Sequence, residues 1–350
     1  MVMSIRVGKH SIGPGLPCMV IAEAGVNHNG NLEIALRLVD AAAEAGADVI
    51  KFQTFKAEEV ISPVAPKAAY QVRTTGAAES QLEMVRKLEL PPAAFATIDR
   101  HCRERGLLFL STPFDRGSVD LLQNLNIAAF KIPSGEVTNL PFLTYVAKQR
   151  KPVILSTGMS TLDEVAAAVE AVLAAGTGEL ALLHCVSNYP ALASSVNLRA
   201  MKTLEQRFGV PVGYSDHTEG IEISLAAAAL GACIVEKHFT LDRTLPGPDH
   251  RASLEPRELA VLVRGVRTIE SALGDGRKVP AAEELNTAAV ARRSLVAVRD
   301  LAAGTILTEE NIAIRRPGTG LPPSTLPNVL GRRLRQDVVA GALLSLEMLA

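Results

Sequence analysis

Short apolar runs recur along the chain, rich in β-branched residues, and each gives way to a polar cluster. The runs are Met19–Ala22, Val49–Phe52, Leu107–Ser111, Ala128–Ile132, Val153–Ser156, Leu180–His184, Val210–Gly213 and Ile234–Lys237. Runs this short, bounded by turn formers, read as buried strands. The stretches between them are rich in Ala and Leu and read as helices. Asn31–Ala45 stops at Gly46, a residue suited to the left-handed turn that ends a helix. Thr161-Leu162-Asp163-Glu164 has capping-box spacing, with the Thr161 hydroxyl and the Glu164 carboxylate serving each other's backbone amides. Glu219–Gly231 and Glu255–Gly274 read as helices in the same way. Strands alternating with helices run parallel, because each crossover returns the chain to the same end of the sheet. Eight such units over about 255 residues predict a closed (β/α)8 TIM barrel, a fold usually of about 250 residues. An open doubly wound sheet fits less well, since no G-x-G-x-x-G turn follows the first run.

The barrel domain is expected over residues 1–275. Its first part, Met1–Pro17, precedes the first strand and is expected to cap the barrel floor as a small hairpin. Tyr70–Pro92 is a long insertion after the second strand, expected as a lid. Residues 276–291 read as a linker. Residues 292–350 then show short apolar runs (Ser294–Val298, Thr305–Leu307 and Asn311–Ile314) between Gly and Pro turns, the texture of a second, mostly β domain. A unit of roughly sixty residues has a thin core and is expected to lean on a partner surface.

Composition narrows the function. The chain is 48% apolar and 21% charged, which suits a globular protein. Aromatic residues are only 4%, Trp is absent and the formal net charge is -1, so neither stacking platforms nor a basic field for nucleic acid is expected. An anionic substrate must be held by a few placed groups. No run of about 18 apolar residues is free of charge, so no membrane span is expected. Met1–Pro17 carries Arg6 and Lys9 but no apolar signal core, and a cytoplasmic location is expected. The four cysteines form no C-x-x-C pair, which points to reduced thiols and not to a zinc knuckle or a disulfide framework.

Active sites of such barrels gather at the C-terminal ends of the strands. Every one of the eight strand ends here is polar, and a purely structural barrel has no need of that. His217 and His238 follow strands seven and eight, close enough for both imidazoles to reach one ion across strands about 4.8 Å apart. Two nitrogens, no nearby thiolate and open positions favour Mn2+ or a similar cation over structural zinc; the alternative is two hydrogen-bonded core histidines. Lys51 and Lys131 end strands two and four. With Thr112, Ser134, Ser156 and the Gly-flanked amides at Ser134-Gly135 and Thr157-Gly158, they suit a phosphate and a carboxylate. The alternatives are a Schiff base on a lysine, or plain salt bridges to Glu23 and Glu236. Glu23, the acid ending strand one, has three open roles: to orient a lysine, to take a proton from water, or to neutralise the site. Tyr189 and Asp249 have the chemistry to bind sugar hydroxyls, although Gly and Pro around Asp249 also suit a simple turn.

The strings Ile21-Ala-Glu23-Ala-Gly25-Val-Asn27-His28-Asn29-Gly30, Lys51-Phe-Gln53-Thr54, Ser111-Thr112-Pro-Phe-Asp115, Lys131-Ile-Pro-Ser134-Gly135, Ser156-Thr157-Gly158-Met159, Ser215-Asp216-His217-Thr218 and Glu236-Lys237-His238-Phe239-Thr240 resemble the sialic acid synthase family. The tail, with Ala303-Gly304-Thr305-Ile306-Leu307 and Arg315-Arg316-Pro317-Gly318-Thr319-Gly320, is similar to that family's antifreeze-like (SAF) domain. The resemblance implies a barrel followed by a small β-clip SAF domain. It also implies a metal-dependent condensation of phosphoenolpyruvate with an N-acyl hexosamine, with C–O cleavage, giving a nine-carbon sugar acid. N-Acetylmannosamine is the first acceptor expected, and a legionaminate, pseudaminate or spore-coat sugar synthase is the alternative. By the same resemblance Lys51, Thr112, Lys131, Ser134, Ser156 and Ser215 contact phosphoenolpyruvate, and Glu23, Lys51 and Lys131 are the catalytic candidates. His217 and His238 hold Mn2+, or Mg2+ or Co2+ in its place. Gln53, Tyr189 and Asp249 fall on the sugar side, with Arg316 reaching in from the other subunit of a domain-swapped homodimer. Ser187 stands where N-acetylneuraminate synthases often carry Asn, which leaves the acceptor sugar open. A Schiff-base pyruvate aldolase and a non-catalytic carbohydrate-binding protein are the rival readings.

Overall fold

The computed structural model describes residues 4–176 and 178–350, so Met1 to Met3 of the expected cap lie outside the described residues. The chain divides into two compact units, Met1–Gly274 and Asp275–Ala350.

The first unit opens with a hairpin of β1 (Ile5–Val7) and β2 (His10–Ile12), with Ile5 opposite Ile12. Eight strands follow: β3 (Met19–Gly25), β4 (Val49–Thr54), β5 (Leu108–Pro113), β6 (Phe130–Ile132), β7 (Val153–Ser156), β8 (Leu180–Cys185), β9 (Val212–Asp216) and β10 (Ile234–His238). They form one parallel sheet in the order β5-β4-β3-β10-β9-β8-β7-β6. β5 and β6, the two ends of that order, lie against each other, so the sheet comes round as a nearly closed barrel. The seventh barrel strand starts at Val212 and not at Val210, because Pro211 has no N–H for the ladder.

Alternation along each strand builds two cores. Val20, Ala22, Ile50, Phe52 and Leu182 face outward and pack with Leu38, Phe95, Val146 and Leu262 of the surrounding helices. Met19, Ile21, Val49, Leu110, Ile154, Ala181 and Ile234 face inward and pack with Ile5, Val7 and Ile12 of the hairpin. These inner residues sit early in their strands, so the hairpin plugs the floor. The apolar filling ends one layer below the polar residues of the strand tops.

Local chemistry sets the helix starts. Asn31 Oδ1 accepts from Glu33 N at 2.8 Å and Ile34 N at 3.2 Å, opening helix Leu32–Glu44. Thr161 and Glu164 form a reciprocal cap on helix Leu162–Ala175, with Thr161 N donating to the Glu164 carboxylate at 2.7 Å. The insertion after β4 holds three short helices, Ala57–Val60, Ala69–Thr75 and Gln81–Arg86. All four cysteines are free and buried. Among the described residues no helix is long and apolar enough to cross a membrane.

The second unit differs from expectation at its start. The stretch read as a linker carries a helix, Glu284–Ala291, since five of its eight residues are Ala, Leu or Glu, strong helix formers. β11 (Ser294–Ala297) and β12 (Ile312–Arg315) then pair antiparallel, and isolated bridges such as Leu301 with Val338 and Ile306 with Arg333 tie the loops together. Its core is small, built on Leu295, Leu301, Leu307, Val329, Leu334 and Leu344.

Candidate active site

At the strand tops the same alternation decides what enters the barrel. On β10, Glu236 and His238 face the interior; on β9 and just past it, Ser215 and His217 do the same. Lys237 and Asp216 face the other way and form a fully buried ion pair at 2.9 Å, with Asp216 also accepting from Ser224 and Thr218. The inward set lines a cavity of about 780 Å³. It brings together Glu23, Lys51, Gln53, Thr112, Lys131, Ser134, Ser156, Tyr189, Ser215, His217, His238 and Asp249, the barrel residues expected to form the site. Arg316 lies in the second unit, exposed, immediately after β12.

The cavity floor is a buried charge cluster. Lys51 Nζ lies 2.5 Å from Glu23 Oε2 and 3.9 Å from Glu236 Oε2, and donates to Thr112 Oγ1 at 2.9 Å. Lys131 Nζ lies 3.3 Å from Glu236 Oε1, which also accepts from Ser215 Oγ at 2.9 Å. The lysine–glutamate pairing posed as an alternative is therefore present, but it leaves acceptors over. Glu23 Oε2 sits close to Lys51 without hydrogen-bond alignment, and Glu236 Oε2 and Ser156 Oγ are buried with no hydrogen-bond partner. Buried polar atoms left this way call for a ligand or water.

Burial and neighbours tune the acids. Burial pushes the Glu23 carboxyl up to about 7, against the pull of Lys51. Burial acts on Glu236 in the same direction but loses to the charges of Lys131 and Lys51, which hold it well below the usual carboxylate range. Burial lowers Lys131, and Glu236 resists that fall. One carboxylate is thus firmly ionised while the other stands near neutrality, the separation expected of an acid–base site.

A small polar cradle adjoins the floor. Gly158 N donates to Ser134 Oγ at 2.9 Å, and Ser134 Oγ lies 3.0 Å from Cys185 Sγ. A Cβ on Gly158 would stand 2.4 Å from Ser187 Oγ and 3.0 Å from Ser134 Oγ, so only glycine leaves this space open.

The histidines stand beside the cluster, ring centroids 5.4 Å apart, with the Tyr189 ring tilted against His217 at 4.3 Å. His217 Nδ1 bonds the Val186 carbonyl at 2.7 Å, which fixes its tautomer and leaves Nε2 as a lone pair. Burial lowers His217 to about 4, and burial with His217 beside it holds His238 well below the ordinary imidazole value. Both rings are neutral, the form that binds metals, and His238 Nδ1 is buried without a partner. Among the described residues no three His, Cys, Asp or Glu side chains converge as a complete metal cage. The pair therefore fits a cation whose remaining positions go to water or substrate, not a structural ion.

Sequence reasoning passed over one part of this site, and named another, the Tyr70–Pro92 insertion, as a lid without its contact residues. Glu236, considered only as a salt-bridge partner, is its central anion; its place two residues before His238 on one strand face was the available signal. The insertion after β4 walls the cavity with Val60, Ile61, Met84 and Leu88, and Tyr70 sets its ring 5.2 Å from Tyr189. No motif marks such a wall.

Comparison with known proteins fits this geometry. The NeuB family pattern matches residues 38–278 and the SAF domain pattern matches residues 292–350. The chain is similar to the N,N'-diacetyllegionaminic acid synthase of Campylobacter jejuni subsp. jejuni serotype O:2, at 50% identity over 90% of this chain and 95% of that one. It is 46% identical to the Legionella pneumophila protein of the same name, over 95% of this chain and 94% of that one. Among solved structures it resembles the N-acetylneuraminic acid synthetase of Leptospira borgpetersenii serovar Hardjo-bovis in complex with citrate. That match has a TM-score of 0.73 and 37% identity, over 82% of this chain and 95% of that one.

Proposed function

This chain belongs to the NeuB family, as an enzyme that condenses phosphoenolpyruvate with a sugar, and we propose that its acceptor is an N-acylated hexose of the legionaminate type. The 50% and 46% identities to legionaminic acid synthases favour that acceptor over N-acetylmannosamine, the one expected first. The observation that carries the reaction is the floor cluster: the ammonium groups of two buried lysines line the cavity, and the buried Ser156 hydroxyl beside them is left over as a donor for an incoming anion.

In this reading Lys51 and Lys131, with Thr112, Ser134, Ser156 and Ser215, hold the phosphate and carboxylate of phosphoenolpyruvate. Gln53, Tyr189 and Asp249 orient the open-chain sugar so that its aldehyde carbon faces carbon three of phosphoenolpyruvate. A C–C bond forms there, the aldehyde oxygen gains a proton, and positive charge develops at carbon two. Water adds at carbon two and loses a proton. The resulting intermediate collapses with cleavage of its C–O bond to phosphate. Glu23, titrating near neutrality, is placed to take and return these protons. The lysine ammonium groups offset the negative charge throughout. A divalent cation held by His217 and His238 (Mn2+, or Mg2+ or Co2+) would supply Lewis acidity at the aldehyde oxygen.

The same proposal includes a homodimer in which Arg316 of one copy reaches the sugar bound in the other. The exposed Ile306 and Ile314 of the second unit, 45% and 41% accessible, support a covered surface there. Phosphate release from phosphoenolpyruvate is the test. It is measured with Mn2+ across N-acetylmannosamine, its 6-phosphate and 6-deoxy diacetamido hexoses, with and without EDTA. Release with a diacetamido hexose, abolished by EDTA, is expected; no release with any sugar removes the proposal.

A further inference from the structure

We propose that the buried Lys237–Asp216 ion pair sets the distance between His217 and His238, so that both charged residues are positioning residues for the histidine pair. This rests on the reading of the two histidines as cation ligands. It goes beyond that reading by giving a task to two charges on the other face of the sheet.

The backbone ladder between β9 and β10 pairs Val235 with Tyr214, Glu236 with Ser215 and Lys237 with Asp216, and ends there. Ser215 and Glu236 of the cavity floor therefore lie within the ladder. His217 does not: it is the first residue past β9. His238 stays in register with Glu23 on the opposite side of its strand. The spacing of the two histidines thus depends on something other than the ladder.

Side chains continue the pairing where the ladder ends. Lys237 Nζ donates to Asp216 Oδ2 at 2.9 Å and also to the carbonyl of Thr218. Asp216 Oδ1 accepts from Thr218 N at 2.9 Å and from Thr218 Oγ1 at 2.8 Å, while its Oδ2 also accepts from Ser224 Oγ. Asp216 and Thr218 flank His217 in the chain. The residue just before His238 therefore grips both neighbours of His217, one by its carboxylate and the other by its carbonyl. From the segment after β8, Ala191 N donates to the His217 carbonyl at 2.8 Å, and the Val186 carbonyl meets His217 Nδ1 at 2.7 Å. The backbone and the ring of His217 are held from both sides.

Lys237, Asp216 and Ser224 are almost completely buried. A buried ion pair adds little net stability, and an apolar pair of similar volume is often as stable. What the ion pair adds is a fixed distance and direction between β10 and the turn that carries His217. A metal site needs that, because its bond lengths hold to about 0.2 Å.

The test replaces the pair by an uncharged one, Lys237→Met with Asp216→Asn. The asparagine oxygen can still accept from Thr218, so the change is aimed at the ammonium link. Calorimetry measures binding of Mn2+ and, separately in EDTA, of phosphoenolpyruvate; thermal melts check folding. The double variant is expected to stay folded, to bind Mn2+ about 10–100-fold more weakly, and to bind phosphoenolpyruvate as the wild type does. Thr218→Val removes one hydrogen bond of the same turn and is expected to weaken Mn2+ several-fold; it decides the matter if the double variant does not fold. Undiminished Mn2+ binding in the folded double variant, or in Thr218→Val where the double variant is unfolded, overturns the inference. An equal loss for phosphoenolpyruvate overturns it too, since that is a general loosening of the barrel top. These results leave the histidine reading intact. A wild type that binds no Mn2+, or binding that survives His217→Ala, overturns the histidine reading and this inference with it.

Discussion

Replacing Glu236 with Gln removes one charge from the floor cluster and almost none of its volume. The two ammonium groups it faces lie 3.3 Å and 3.9 Å away, and all three side chains are no more than 5% exposed. At an effective dielectric constant of about 20 each attraction amounts to roughly 4–5 kcal/mol, before the cost of burying the charges is subtracted. Breaking a buried pair by removing one partner typically costs ~3–5 kcal/mol, because the other charge is left uncompensated. Here Glu23 remains to share Lys51, so the lower end, about 3 kcal/mol, is expected. Urea unfolding of the ligand-free variant measures it. Phosphoenolpyruvate brings negative charge to the same lysines, so saturating ligand is expected to restore more stability to the variant than it adds to the wild type. A loss under about 1 kcal/mol, or equal stabilisation of both proteins by phosphoenolpyruvate, would refute the cluster as the anion site.

Glu23 sets a pH dependence. Its carboxyl is raised by burial from the ordinary 4.5 to about 7, so its contribution to stability is complete below the unfolded value and lost as pH rises through about 7. Unfolding of the ligand-free protein between pH 5 and pH 8 is expected to show that decline, and Glu23→Gln to flatten it; an unchanged slope removes the assignment. His217→Ala is expected to weaken Mn2+ binding at least tenfold by calorimetry while the protein stays folded, and undiminished binding contradicts the histidine pair. Gly158→Ala pushes a methyl into Ser187 Oγ, Cys185 Sγ and Ser134 Oγ, and steady-state kinetics are expected to show a raised KM for phosphoenolpyruvate, an unchanged KM contradicting the cradle. Arg316→Ala is expected to raise the KM for sugar alone, and full activity in a monomer by sedimentation contradicts the shared site.

Much of the fold was legible because two periodicities reinforce each other. Strand runs such as Val49–Ile50 and Val153–Leu155 are continuous in apolar residues, since both their faces are buried, and each hands over to polar residues at the same end. That direction points to the end of the barrel that carries the candidate site. Alternation within a strand top was harder to use. Glu236-Lys237-His238 reads as one polar cluster, but the pleat sends Lys237 out to Asp216 and the flanking pair in. Glu236 could be recognised as a site anion only once the register between β9 and β10 was fixed. The wall of the insertion was illegible for another reason. Its apolar residues are scattered over short segments and come together only where the first of these helices lies against the last. Nor could composition separate the Glu284–Ala291 helix from a linker, because a run of strong helix formers does not say whether the segment is packed.

The central claim is a condensation of phosphoenolpyruvate with sugar that cleaves the C–O bond and not the P–O bond. The direct measurement uses phosphoenolpyruvate carrying 18O in the oxygen that bridges carbon two and phosphorus. It is incubated with Mn2+ and a 6-deoxy diacetamido hexose, and both products are weighed by mass spectrometry. The account predicts label in the released phosphate, none in the sugar acid, and one product of each per turnover. Label retained in the sugar acid, or phosphate released without a sugar acid, would contradict it.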